Sequence, residues 1–358
     1  MIDKAIKQRL DNIEKLCRDI GREISIMEVC GTHTVSLMRS GVKSMLPEQI
    51  RLISGPGCPV CVTSQGYIDA ACQLSLKDDV IICSYGDMLR VPGDKGSLEK
   101  YKALGADVRI VYSARDAIGV AKSNLDKSVV FLAVGFETTT PPTALTIKEA
   151  RAEGIDNLYM LCAHKLVIPA MEILLGAEKV NIDGFMCPGH VSVVIGADAY
   201  KVIVEKFNRP CVITGFEPEQ MVAGIEAIVA QIAADDIKVE NKYNIAVKDA
   251  GNVIAQNVIN EVFKVSDVIW RAMGVLPKSG LELKDEYRDF DARVKFGLNI
   301  EQDKEIPGCR CGEVIQGIVN PKQCPLFGKK CSPAEPVGPC MVSSEGTCAA
   351  WYKYGSVI

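Results

Sequence analysis

An α/β architecture on parallel strands is predicted by three observations. Short apolar, β-branched runs recur between about residues 24 and 231, each ends in a Gly-rich or polar turn, and each is followed by a segment of helical period. In order, the units are ISIMEVC-GTHT, IRLIS-GPGCPVC, DVIICSYGD, VVFLAVGFETTTPP, LYMLCAHK, IDGFMCPGH and PCVITGFEPEQ. Open α/β sheets bind ligands beyond the carboxyl ends of their strands, where helix N-termini point N–H donors into the crevice. The chemically unusual residues of this chain fall at those ends.

The elements are expected to divide into two parallel-sheet α/β units with helices on both faces and a third, cysteine-rich region. The expected boundaries are 1–120, carrying CGTH and CPVC; 121–240, carrying GFETTTP and CPGH; and 241–358, carrying the cysteine-rich tail. A charged stretch over 113–127 reads as the linker between the first two. VGFETT around Gly135 and TGFEPEQ around Gly215 echo each other weakly and suggest related turns. At the N-terminus, Ile6, Leu10, Ile13 and Leu16 lie at helical spacing among alternating charges, which predicts an amphipathic helix rather than a signal peptide.

Composition narrows the function. The 358 residues carry a net charge of −4, with basic and acidic residues interspersed, so nothing marks a phosphate-backbone or membrane-surface binder. No run approaches the roughly 18 apolar residues of a membrane helix. A cytoplasmic protein is expected. Fifteen cysteines in such a chain point to metal or redox chemistry rather than to a disulfide framework, because the cytosol keeps thiols reduced.

In the tail, Cys309, Cys324, Cys331 and Cys348 are separated by fourteen, six and sixteen residues. Zinc knuckles take their ligands as close pairs, whereas irregular spacing is common among iron-sulfur sites. An iron-sulfur site is therefore favoured, with Cys311 as an alternative to Cys309 and with Cys340 also nearby. Cys17, Cys72, Cys83 and Cys211 read as small buried hydrophobes. No Cys-x3-Cys-x2-Cys triplet supports radical chemistry with S-adenosylmethionine.

Cys58 and Cys61 form a Cys-Pro-Val-Cys pair after a strand and before a helix, a placement that suits a dithiol cycling with its disulfide. Half of a zinc site is the other reading, but the second CxxC it needs is missing. All three histidines closely follow a cysteine, as Cys30-Gly-Thr-His33, Cys162-Ala-His164 and Cys187-Pro-Gly-His190. A neutral imidazole beside a thiol serves as base, donor or ligand. His33 and His190, in Gly-containing turns, read as functional; His164 reads equally well as structural. Glu137, directly after an apolar strand, reads as a base, a thiol-orienting acceptor or a partner contact, and Thr138, Thr139 and Thr140 as anion-holding hydroxyls or a plain N-cap run.

Together, CGTHT, GPGCPVC, GFETTTPP, CPGHVS and the tail CPLFG…CSP…PCMVSSEGTCAA resemble the HypD family of [NiFe] hydrogenase maturation factors, from about residue 24 to 354. The resemblance implies a three-part α/β protein with a [4Fe-4S] cluster, working with the small chaperone HypC as scaffold for an Fe(CN)2CO moiety whose cyanide comes from HypE with HypF. It implies that Cys30 holds the iron with His33 beside it, and that Cys58 and Cys61 are redox-active. It matches Glu137, Thr138 and Thr139 to one family segment and His190 to another. Cys309 (or Cys311), Cys324, Cys331 and Cys348 would bind the cluster, whose electrons would pass through Cys58/Cys61 to the iron at Cys30. On this resemblance the chain would be a redox-active assembly scaffold rather than a conventional enzyme. The competing expectations are a disulfide reductase resembling ferredoxin-thioredoxin reductase, and a structural zinc protein.

Overall fold

The computed structural model describes residues 4–177, 180–304 and 306–355. Its parallel strands are β1 (Ile24–Glu28), β2 (Ile50–Ser54), β3 (Val80–Ser84), β4 (Val108–Ile110), β5 (Ser128–Gly135), β6 (Leu158–His164), β7 (Gly184–Pro188), β8 (Cys211–Thr214) and β9 (Val239–Asn241). Each of the seven apolar runs forms one of them. One sheet has the order β2-β1-β7-β8-β9, and the other β4-β3-β5-β6. Helices flank both. An antiparallel hairpin, β10 (Phe263–Trp270) and β11 (Gly274–Leu283), then leads into the cysteine-rich tail.

The sheets do not follow the sequence division at residue 120. The chain starts the first sheet with β1 and β2, builds the whole second sheet, and returns at β7, where Met27 of β1 pairs with Phe185. The charged stretch over 113–127, expected as a linker, holds the helix Asp116–Lys122 and connects β4 to β5 within one sheet. Parallel strands need such crossovers, and a solvated crossover carries the same charge pattern as a linker.

Side-chain alternation explains the layering. On β5, Val130, Leu132 and Val134 point into one core while Val129, Phe131 and Ala133 point into another. On β7, Phe185 and Cys187 join the first of these cores, and Met186 faces a third beneath the N-terminal helix. The inner faces of both sheets thus share one continuous core, which also receives Cys58, Cys61 and several tail cysteines.

The amphipathic N-terminal helix is Lys4–Ile20; residues 1–3 lie outside the described residues. It packs on the helix Pro218–Ala234, with Ile13 and Cys17 fully buried and Arg9 paired with Glu226. Full burial of a side chain such as Ile13 contributes roughly 1.5–3 kcal/mol. Gly21, at φ +71°, ends the helix in the left-handed conformation. Cys72, Cys83 and Cys211 are buried as expected. Among the described residues, no helix is long and apolar enough to cross a membrane.

Candidate functional site

The site begins where β1 ends. Cys30 is the N-cap of the helix Gly31–Arg39 and is 3% exposed. A helix N-terminus favours thiolate, yet burial wins: it pushes the thiol up to about 12, aided by the nearby Glu345 carboxylate. Because β7 pairs with β1, the helix after β7 brings His190 alongside, its Nε2 3.8 Å from Cys30 Sγ. Burial lowers the His190 pKa and favours the neutral ring. Two residues before Cys30, Glu28 ties β1 to its surroundings: its Oε1 accepts from Ser54 Oγ at 2.8 Å and Thr34 Oγ1 at 3.1 Å.

His33 is fully buried and pushed down to about 4 by that burial. Its Nε2 lies 3.0 Å from Gly215 O and 3.0 Å from Thr214 Oγ1. A carbonyl only accepts, so Nε2 carries the proton and His33 pins the turn after β8. That turn places Phe216 against both imidazoles, with ring centroids 4.7 Å from His33 and, stacked, 5.0 Å from His190.

The CPVC turn lies against the Cys30 turn on the other side of β1. Cys58 caps the short helix Pro59–Val62 and forms a disulfide with Cys61, the Cα atoms 5.2 Å apart. Gly57 O accepts from Gly31 N at 3.4 Å, and a Cβ on Gly57 would run into Cys30 N. Glycine is required there by backbone-to-backbone approach.

In the tail, Cys309, Cys311, Cys324, Cys331, Cys340 and Cys348 line one small cavity with Phe327, Gly338 and Met341. Thiol contacts link Cys309 to Cys311, Cys311 to Cys340, and Cys340 to Cys348. Val337 N–H donates to Cys331 Sγ at 3.4 Å, and Gly338 leaves room for Cys309 Sγ, which a Cβ would approach to 3.0 Å. Among the described residues, no three His, Cys, Asp or Glu side chains close on a point suited to one metal ion. The sulfurs instead surround a shared apolar space, a donor set that fits a cluster bound by four thiolates. Both Cys309 and Cys311 line it.

The tail is seated on both turns. The helix Thr347–Tyr354 packs on Gly31–Arg39, and Pro339–Val342 packs on Pro59–Val62. Between them, Glu345 Oε1 accepts from Thr32 Oγ1 at 2.7 Å, and its backbone carbonyl fills the space where Gly31 would carry a Cβ. Sequence reasoning missed Phe216 and Glu345 as site residues. The available signals were an aromatic in a strand-end turn and an acid lying between two tail cysteines.

The Glu137 turn stands apart in its bonding. Glu137 is buried, its Oε1 accepting from Val167 N at 2.9 Å while Oε2 has no partner, and burial raises its pKa to about 7. Thr139 Oγ1 donates to Phe136 O at 3.2 Å, and Thr138 is half-buried. None of these bonds reaches Cys30, Cys58 or Cys61. His164 is fully buried edge-on to Phe263 at 5.6 Å.

A family model described as "HypD: Hydrogenase formation hypA family" matches residues 4–355. The chain is 48% identical to the hydrogenase maturation factor HypD of Escherichia coli, covering 93% of this chain and 90% of that protein. It is 45% identical to HypD of Cupriavidus necator, over 94% and 90%. To HypD2 of Bradyrhizobium diazoefficiens it is 44% identical, over 99% and 95%. With its two parallel sheets, its paired thiol turns and its cysteine-lined tail, this chain belongs to the HypD family of hydrogenase maturation factors.

Proposed function

We propose that the protein is the scaffold on which an Fe(CN)2CO moiety is assembled. The iron is held by the Cys30 thiolate together with a cysteine of a HypC-like chaperone, and HypE (with HypF) donates the cyanide. The carrying observation is that Cys30, a neutral imidazole and a disulfide share one buried corner, with two tail helices seated on it. Low-spin iron bearing cyanide and CO is soft, and thiolate is its matching ligand.

The chain's residues then have definite tasks. At neutral pH the Cys30 thiol holds its proton, so iron binding must remove it, and His190 Nε2 at 3.8 Å is the acceptor at hand. Cargo affinity therefore rises with pH. His33 holds the β8 turn, and through it Phe216, behind His190. Reduction of the Cys58–Cys61 disulfide consumes two electrons and two protons and gives two thiols beside Cys30. Of the tail cysteines, Cys309 or Cys311 with Cys324, Cys331 and Cys348 would hold a [4Fe-4S] cluster, which when bound supplies single electrons to the proposed relay. Glu137, with a pKa of about 7, can hold or release a proton at Oε2. This is redox-assisted assembly in the cytoplasm rather than turnover of a conventional substrate.

The second reading, an iron-sulfur-dependent protein disulfide reductase, rests on the same disulfide and cavity. Against it, Cys58 is 5% exposed and Cys61 fully buried, so an external protein disulfide reaches them only if the turn opens. Infrared spectra of the anaerobically purified protein, with and without its HypC-like partner, separate the two. Cyanide and CO bands that appear with the complex and vanish in Cys30→Ala are expected. Brown protein without such bands, even with the full maturation machinery present, would point to the reductase.

A further inference from the structure

Arg271 follows the last residue of β10 and is 5% exposed. Its backbone N–H donates to Val62 O at 2.9 Å, directly after the CPVC pair, and Trp270 bridges to Thr63. Its side chain lines a cleft of about 610 Å³ together with Cys309 and Cys311. Among the described residues it makes no salt bridge, and its one side-chain hydrogen bond is a long one, Nη2 to Pro92 O at 3.5 Å, while Nη1 is buried with no hydrogen-bond partner. Its charge is felt by Asp69, which already accepts from Asp94 N at 2.7 Å; on the cleft wall, Asp303 accepts from Gln65 N at 2.6 Å and Ala272 N at 3.0 Å.

A buried donor left unsatisfied costs roughly 1–3 kcal/mol, and more when it is charged. The guanidinium therefore calls for an anionic acceptor, and Cys309 and Cys311 stand on the wall of the same cleft. Sulfur ligated to iron is such an acceptor. Hydrogen bonds to the sulfurs and the nearby charge are among the factors that set an iron-sulfur reduction potential.

We propose that Arg271 donates through Nη1–H to a sulfur of the group bound by the tail cysteines and raises that group's reduction potential, an inference that rests on the cluster reading above. Reduction adds negative charge, which a fixed guanidinium stabilises more than it stabilises the oxidised state. By its place after β10 and its bond to Val62, the same residue joins the cleft lined by Cys309 and Cys311 to the CPVC turn.

The test is a redox titration, followed by electron paramagnetic resonance, of the full chain reconstituted anaerobically with iron and sulfide. Arg271→Gln is expected to bind wild-type amounts of iron and to be at least tenfold harder to reduce, a shift of about 59 mV for one electron. An Arg271→Gln protein with full iron and the wild-type potential would overturn the proposal. If that variant binds no iron, Arg271→Met, which removes both the charge and the donors while keeping an unbranched stem, decides. A loaded methionine variant titrating below wild type supports the role, whereas one at the wild-type potential, or one that also fails to load, overturns it. If the wild-type chain itself takes up no iron and sulfide, the cluster reading fails, a result obtained before either variant is made.

Discussion

Gly-Phe-Glu closes β5 at residues 135–137 and β8 at residues 215–217, and the two turns do opposite work. In the first, Phe136 packs on Trp270 at 5.9 Å and Glu137 is buried against Val167 N. In the second, Phe216 lies half-buried against two imidazoles, while Glu217 is exposed and opens a helix, its N–H bonded to Gln220 Oε1 at 3.3 Å. The same three residues make a scaffold corner in one sheet and the wall of a thiol site in the other. A tripeptide sets where the chain turns; its neighbours across the sheet decide what the turn does.

The phenylalanines give the sharpest contrast. Phe136→Ala should cost about 3–5 kcal/mol of stability, as for a buried ring, and leave Cys30-dependent cyanide and CO bands intact in protein that remains folded. Phe216→Ala should cost less stability but cut those bands at least tenfold, by releasing His190. If Phe136→Ala folds and loses the bands as completely, the division of labour between the turns is wrong.

The glycines come next. Gly135 has φ +157°, and a Cβ there would collide with Thr139 Oγ1, whose β-branched side chain has little room to yield. Gly135→Ala should therefore cost roughly 1–3 kcal/mol from backbone strain alone. At Gly215 the obstacle is the end of the Gln220 side chain, which can swing aside. Gly215→Ala should then cost only about 1 kcal/mol, the worth of a helix cap. Urea unfolding midpoints would measure both, and equal losses would blur the comparison.

The acids give the smallest effect. Burial raises the Glu137 pKa from 4.5 to about 7, so the folded chain binds that proton more tightly than the unfolded one. Its contribution is fully present below about pH 4.5 and is lost as pH rises through about 7. Glu137→Gln should flatten that part of the stability profile, with Glu217→Gln as the exposed control. Thermal melts from pH 4.5 to 8 that fall equally steeply in both variants would remove Glu137 from the account.

Six of the seven legible strands are buried on both faces and read as largely apolar runs, while β2, an edge strand with Arg51 exposed, shows through its Ile and Leu residues and the Gly-Pro-Gly that follows. β4 and β9 are three-residue edge strands with polar members, Val-Arg-Ile and Val-Glu-Asn, and carry no such signal. The β10–β11 hairpin hid because much of it faces outward, with Val265 56% and Val275 52% exposed. Sheet membership was illegible for a different reason: nothing local to β7 states that it pairs with β1 rather than with β6. Cysteine and histidine announced the thiol turns through their chemistry. Glu345 and Arg271 did not, since an acid in a Ser-Gly loop and a cation after a strand resemble ordinary surface residues until the fold closes over them.

The bond from Thr32 to Glu345 makes the last part of the chain the floor of a corner built by the first. Glu345 stands between Cys340 and Cys348, and its carbonyl and carboxylate lie under Gly31 and Thr32. The seat of Cys30 is therefore finished only when segments more than three hundred residues apart in sequence have met, so its geometry depends on the whole chain being folded.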